Sequence, residues 1–408
     1  MTALRVIADD LTGACDIGAE LLPWPNGVAV VSTAGEGGTR GVAPQALWVR
    51  NTQSRTLEPG PAAERVTAAL REVTAGWSGI VLKKIDTGLR GQLGAEIDAA
   101  MVALGADEAF VLAAIPEVGR TTEGGRQMIG GVPVDQTAFA RDPRNPIRDA
   151  RVASVIEATS RRRAGVVPID AVRDPARFAE TVGRLRAAGA SILVCDAQTD
   201  DDVERGVRGL LGRGRPLLLV GSTGLARGLR RVLGTERDGR PRSTVPAPPG
   251  EGGILCVVGS AHPASRAQVE HARARGLTEA IVVDATIAPE DAGQAAARQV
   301  RAGRTATLLT PADLDGAAGT RLRAAALAAL ARSRPSGMVL VGGETAYDVL
   351  DGLGHPPLWI GSRLCPLVVR GHLLAGAYAG LSLVTKGGSA GAPDLLGQIV
   401  RQLARRVR

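Results

Sequence analysis

Short apolar runs rich in Val, Ile and Leu recur along the chain, separated by longer stretches in which Ala, Leu and Arg repeat at helical spacing. The runs predict strands at LRVIA (4–8), VAVVS (28–32), ALWV (46–49), GIVLKK (79–84), AFVLAA (109–114), SILVCD (191–196) and PLLLVGS (216–222). A second series follows at GILCVVGS (253–260), AIVVDA (280–285), TATLLT (305–310), GMVLVGG (337–343) and LSLVTKGG (381–388). Continuous rather than alternating apolar strands are those buried on both faces, and amphipathic helices between them supply the cover. The expected architecture is therefore α/β, with two domains that each carry a largely parallel, doubly wound sheet. Between the series lies GTERDGRPRSTVPAPPGEGG (234–253), rich in Pro, Gly and charge and without apolar periodicity. It reads as a linker. The division is 1–235, a linker at 236–252, and 253–408, with no internal repeat.

Length and composition agree: 408 residues with 45% apolar content suffice for two domains with cores of their own. The apolar runs are too short to span a bilayer. The chain enters a strand without a secretory leader pattern, so a cytoplasmic protein with no membrane partner is expected. Four scattered cysteines, in no C-x-x-C pair, read as buried thiols, and with four scattered histidines they make no zinc pattern. The net charge of +8 raises the question of nucleic acid. Arginine is spread through the helices, however, and only 2% of residues are aromatic, which leaves little for base stacking. No nucleic-acid partner is expected. Anionic small molecules account for the charge as well.

Ligands of open parallel sheets bind at the carboxyl ends of the strands, which makes the residues there informative. The first strand ends in Asp9 and Asp10. GIVLKK runs into KKIDTGLRG, with Lys83, Lys84, Asp86, Thr87 and Arg90. AFVLAA runs into IPEVGRTTEGG, with Arg120, Thr121 and Thr122 beside glycines. Taken singly, Asp10 reads equally as a helix cap and each cation as a solvated charge. Together they suit a small anionic polyol, with cations for its carboxylate and carboxylates for its hydroxyls.

The second series ends its strands differently. Gly259-Ser260, Gly342-Gly343-Glu344-Thr345 and Lys386-Gly387-Gly388-Ser389 all lie at strand-to-turn junctions, the first two opening helices. Free amides and the helix dipole make such turns phosphate sites. No loop matches the P-loop G-x-x-x-x-G-K-[ST] or a G-x-G-x-x-G after a strand, which weighs against a Walker ATPase and a Rossmann dehydrogenase. An acid pocket on one domain and a phosphate pocket on the other, facing across an interdomain cleft, point to phosphoryl transfer.

The motifs IADDLTGACD, KKIDTGLRGQLGAEIDA, IPEVGRTTEGGRQMIGGVPVDQTAFARDPRNPI, GSTGLA, VVGSAHP, GGETA and VTKGGSAGAPDLL together resemble the four-carbon acid sugar kinase family, in order and over nearly the whole chain. The resemblance implies an ATP-dependent kinase of D-threonate, D-erythronate or 3-oxo-tetronate, with Mg²⁺ accompanying ATP. It implies an N-terminal acid domain contributing Asp9, Asp10, Lys84, Asp86, Arg90 and Arg120. It further implies a C-terminal nucleotide domain contributing Ser260, Gly342, Gly343, Glu344, Thr345 and Gly388. The chain departs from the family pattern at Cys15 (usually Asn), at Thr87-Gly88 (commonly Ser-Thr) and at KGGSAG (a KSGNFG-like loop). The first two bear on which acid is used.

In the expected reaction a hydroxyl of the acid attacks the γ-phosphate, with Asp10, or failing that Asp86, as general base. Arg90 and Arg120 are the candidates for gripping the carboxylate, and Lys84 serves either the carboxylate or the phosphoryl group. An aspartyl-phosphate phosphatase would need its second carboxylate at position 11, which is Leu11. A sugar-acid binding protein without turnover, a kinase of a different small hydroxy acid, and a homodimeric assembly stay open at this point.

Overall fold

The computed structural model describes residues 4–22, 28–32, 47–74, 79–142, 144–211, 217–234 and 252–404. The chain divides into two compact units, one formed by Met1–Val28 with Leu47–Arg240 and the other by Ala29–Ala46 with Pro241–Arg408. Of the segment expected to link the domains (236–252), only Gly252 lies within the described residues.

The earlier strands are β1 (Leu4–Ala8), β2 (Val28–Ser32), β3 (Leu47–Asn51), β4 (Ile80–Lys84) and β5 (Glu108–Leu112). Three short strands follow, β6 (Arg120–Glu123), β7 (Arg126–Ile129) and β8 (Val132–Pro133), then β9 (Arg163–Val167), β10 (Ala190–Cys195) and β11 (Leu217–Gly221). The first unit is built on a parallel sheet in the order β3-β1-β4-β11-β5-β10-β9. Its core joins strand residues such as Ile7, Val111 and Val194 to Val66, Leu70, Ile97 and Met101 from two covering helices, Pro59–Thr74 and Leu93–Leu104. Burial on both faces is what the continuous apolar runs require. The helix Leu11–Glu20 is buried at every position, with Gly13, Ala14, Gly18 and Ala19 keeping its girth small.

In the second unit β12 (Ile254–Val258), β13 (Glu279–Val282), β14 (Ala306–Leu309) and β15 (Gly337–Val341) precede β16 (Leu358–Cys365), β17 (Val368–Leu373) and β18 (Ser382–Lys386). The order β13-β14-β12-β15-β18 is parallel, and β17, β16 and β2 extend it antiparallel. The sequence reading contained no strand over 358–373. Gly361, Arg363, Arg370 and His372 break the apolar run there, as befits a hairpin whose outer stretch is only half-buried. β9 was also unforeseen, because an edge strand that is exposed to half-buried for most of its length carries little apolar signal. Among the described residues no helix is long and apolar enough to cross a membrane.

Candidate functional site

β1 pairs with β3 on one side and β4 on the other, so the chain winds away from its first strand in both directions. In such a sheet the crevice opens where the order reverses, at the carboxyl ends of these strands. Asp9 and Asp10 leave β1 there, both buried. Asp10 has extended backbone, φ −144° and ψ 159°, and its Oδ1 accepts from Gly13 N at 3.1 Å, so it caps the helix Leu11–Glu20.

The same two carboxylates are held by Arg55, a residue that sequence reasoning missed. Its Nε donates to Asp9 Oδ2 at 2.8 Å, and its Nη2 donates to Asp9 Oδ1 at 2.9 Å and to Asp10 Oδ1 at 2.6 Å. The Ser54 and Arg55 amides donate to the Asp9 carbonyl, and the Thr52 amide to that of Ala8. This stitches the end of β3 to the end of β1. Within that turn Gln53 has φ +47°, and its amide donates to Asn51 Oδ1 at 3.0 Å. The signal lay in the chain: the strand predicted to stop at Val49 continues to Asn51, which makes Arg55 a strand-end residue like the others.

Burial disfavours a charged Asp9, yet the Arg55 guanidinium, then Lys83 and Lys84, outweigh it and hold the carboxyl below its usual value. Burial is likewise the largest influence on Arg55 and opposes its charge, but Asp10 and Asp9 keep its pKa well above the ordinary one.

Lys84 Nζ lies 3.8 Å from Asp10 Oδ1. A Cβ on residue 13 would stand 2.3 Å from that nitrogen, so the approach depends on Gly13. Lys83 acts on the cluster through its charge alone and makes its ion pair elsewhere. Neighbouring strand residues point to opposite faces, and its Nζ is buried 2.7 Å from Glu96 Oε2.

After β4, Leu89 at φ +61° and Gly91 at φ +100° turn the chain so that Arg90 folds back on Asp86, with Nε 2.7 Å from Oδ2. Against a strong burial penalty, Arg90 and Arg55 hold Asp86 well below the usual carboxylate range. Arg90 Nη1 also donates to Asp142 at 3.1 Å.

Arg120 opens β6, whose hairpin is fastened where the Gly124 and Gly125 amides each donate to Asp196 at 2.8 Å. Its guanidinium donates to the Thr87 hydroxyl and forms no ion pair among the described residues. Burial therefore pushes its pKa down, with Asp86 only partly opposing. Thr121 and Thr122 are engaged within the hairpin region, with Glu123 and Gln127. Close to Asp10, the buried Thr12 hydroxyl has no hydrogen-bond partner. An unsatisfied buried hydroxyl and a half-buried guanidinium whose charge is only partly balanced favour an incoming polar anion.

In the second unit the order reverses at β12, flanked by β14 and β15. Gly259-Ser260 follow β12, and His262 caps the helix Pro263–Ala274. Gly342, at φ +108°, caps the helix Gly343–Gly352, whose first turn contains Gly343, Glu344 and Thr345. A Cβ on residue 259 would meet Thr345 Oγ1 at 2.1 Å, and one on residue 388 would meet Ser260 Oγ at 2.2 Å. The three glycine turns thus pack on one another, joining Ser260, Gly342, Thr345 and Gly388. Two helix N-termini in such a cluster suit phosphate. Lys386 is buried, its Nζ donating to the Gly387 carbonyl at 2.9 Å, and burial lowers its pKa to about 8. His262 is lowered too, first by burial and then by Lys386. No group of three or more His, Cys, Asp or Glu side chains that could hold a metal occurs among the described residues.

Comparison with known proteins places these two strand-end clusters in context. Residues 4–229 match a sugar-binding N-terminal domain and residues 255–396 a nucleotide-binding C-terminal domain. D-threonate kinase of Salmonella typhimurium is 30% identical over 96% of this chain and 96% of its own length. D-erythronate kinase of Heliobacterium modesticaldum is 28% identical over 97% of this chain and 95% of its own. A crystal structure of a Salmonella typhimurium LT2 protein has the same fold, with a TM-score of 0.79 at 23% identity, covering 99% of both chains.

Proposed function

The chain belongs to the four-carbon acid sugar kinase family, and from that premise we propose that it transfers the γ-phosphoryl group of ATP to a hydroxyl of a short sugar acid such as threonate, erythronate or 3-oxo-tetronate. The first unit takes the acid and the second the nucleotide. The observation that carries the acid reading is the company Arg120 keeps: a half-buried guanidinium that forms no ion pair among the described residues, beside a set of ionised carboxylates. Its fork matches a carboxylate, whereas Arg90 is already committed to Asp86 and Asp142. Arg120 is the main carboxylate ligand in this reading, with Arg90 supporting it.

Asp10 is the proposed base. Asp86 is paired with Arg90 and held far below the pKa a base needs. The contacts that Asp10 makes among the described residues use Oδ1, which leaves Oδ2 for a substrate hydroxyl. Lys84, beside the N-terminus of the helix Leu11–Glu20, is placed to receive negative charge on the transferred group. Domain residues Ser260, Gly342, Gly343, Glu344, Thr345 and Gly388 cradle the nucleotide, which enters as its Mg²⁺ complex. Mg²⁺ would accompany the nucleotide and neutralise phosphate charge, and one or two carboxylates would suffice on the protein's side. Four free thiols, three of them buried, fit a reducing compartment, and the reaction is assigned to the cytoplasm.

The test is an ATP-coupled screen over threonate, erythronate, their oxo forms and longer aldonates. ATP consumption that depends on one of the four-carbon acids is the expected result, and no turnover with any acid overturns the reading.

Lys386 supplies a pH dependence. Its charge is held below about pH 8 and given up progressively above it. Polyphosphate favours the charged form, so nucleotide affinity falls as pH rises from 7 to 9. Equilibrium titration with a non-hydrolysable ATP analogue measures the slope, and Lys386→Met flattens it.

A further inference from the structure

Aromatic residues are scarce in this chain, with only three phenylalanines. One of them, Phe139, stands in the acid site. The Arg90 guanidinium carbon is 5.0 Å from its ring centroid and that of Arg120 is 5.8 Å away. Two like charges are thus brought near each other, and Arg90 contributes to lowering the Arg120 pKa. The face of an aromatic ring attracts both cations and fixes their planes. Phe139 is itself held from several sides. Its amide donates to Thr137 Oγ1, its carbonyl accepts from Asp142 and Ile147, and its side chain rests on the apolar core.

What admits the ring is the absence of a side chain at Gly88. A Cβ there would lie 2.3 Å from Phe139 Cε1, 2.5 Å from Cδ1 and 2.9 Å from Asp86 Oδ2. The ring atoms are rigid and the carboxylate is held by Arg90, so neither yields cheaply. The backbone of Gly88 lies outside the left-handed region. Space rather than conformation is what excludes a larger residue.

We infer that Gly88 and Phe139 act as one specificity-determining pair: the bare backbone at 88 seats the ring, and the ring sets the spacing of the Arg90 and Arg120 guanidiniums that select the acid. The inference rests on the proposed kinase reading and deepens it. A Cβ at 88 moves the ring, and the ring carries both cations with it. Loss of the ring frees the same cations. The two changes therefore act through one element.

The experiment is a double-mutant cycle of Gly88→Ala and Phe139→Leu, read as KM for each acid of the panel, KM for ATP, and melting temperature. Each single variant is expected to raise the acid KM about tenfold, the loss of a desolvated cation–π contact in affinity terms. Each also changes the ranking of acids and leaves nucleotide affinity within about twofold, since unit two is untouched. The double variant is expected to be no worse than the poorer single one, because coupled residues do not add. Phe139→Tyr, which keeps the ring, retains the acid ranking. An unchanged acid KM and ranking in Gly88→Ala overturns the inference. So do additive effects, or losses that appear equally in the ATP KM and the melting temperature, as a purely structural role would give. Failure of the kinase reading shows separately, as absence of acid-dependent turnover in the unaltered protein. Should either single variant fail to fold, the other single variant together with Phe139→Tyr still decides between the two outcomes.

Discussion

Asp10→Asn is expected to lower kcat by about 10²–10⁴-fold, the usual worth of a positioned general base. Asparagine is isosteric and caps helices as well as aspartate does, so the hydrogen bond from Gly13 N to position 10 survives. Asp9 keeps its two bonds from Arg55 in the variant. The fold and the nucleotide KM should accordingly stay as they are while turnover collapses. Steady-state kinetics with saturating ATP and the preferred acid provide the measurement. Full turnover in Asp10→Asn would remove Asp10 from the base role. Asp86→Asn makes a useful contrast, because Asp86 orients Arg90. Its loss should appear first in the KM for the acid.

The second large effect is on stability. Arg55→Met leaves Asp9 and Asp10 adjacent and buried with only lysines nearby, and stranding buried charge of this kind costs about 3–5 kcal/mol. The pH dependence identifies the cause. In the intact protein Asp9 has a folded pKa below its unfolded value, so the stability it contributes is present above the unfolded value, about 3.9, and lost as pH falls through the lower folded one. Without Arg55, burial, the largest influence on Asp9, is opposed only by Lys83 and Lys84, so the folded pKa rises from its lowered position. The deficit of Arg55→Met should be greatest at neutral pH and shrink as the medium is acidified and the carboxyl takes up a proton. Urea unfolding at several pH values measures it. A deficit independent of pH would mean that Arg55 acts through packing alone.

The parts of this molecule that could be read in advance are those in which one residue type states its own environment. LRVIA matches β1 residue for residue, because a strand buried on both faces must be apolar over most of its length, Arg5 being its one half-buried position. Asp9, Asp10, Lys84 and Asp86 were visible because polar residues abruptly follow such runs. Arg55 was not, since RNTQSR looks like any exposed loop until β3 is seen to reach Asn51. Lys83 and Lys84 looked equivalent, yet strand alternation allows only one of two neighbours to face the crevice. Lys83 turned to Glu96. Gly88 shows a further limit. Its meaning is set by a ring at position 139, and no local pattern connects the two. In the second unit the three glycine turns were legible singly, but their mutual packing through Thr345 and Ser260 was a matter of strand order.

One feature of the second unit has a consequence in time. Strand β2 is completed early in synthesis, yet it pairs with β16, Val30 opposite Leu358. At about 5–20 residues per second, the ribosome delivers that partner only after some tens of seconds. Throughout that interval VAVVS, rich in valine and uncharged, lacks the partner of its β16 edge, and an open edge of this kind is the sort that recruits the wrong neighbour. Yield in a cell should therefore respond to translation rate and to chaperone supply more than the stability of the finished protein would suggest.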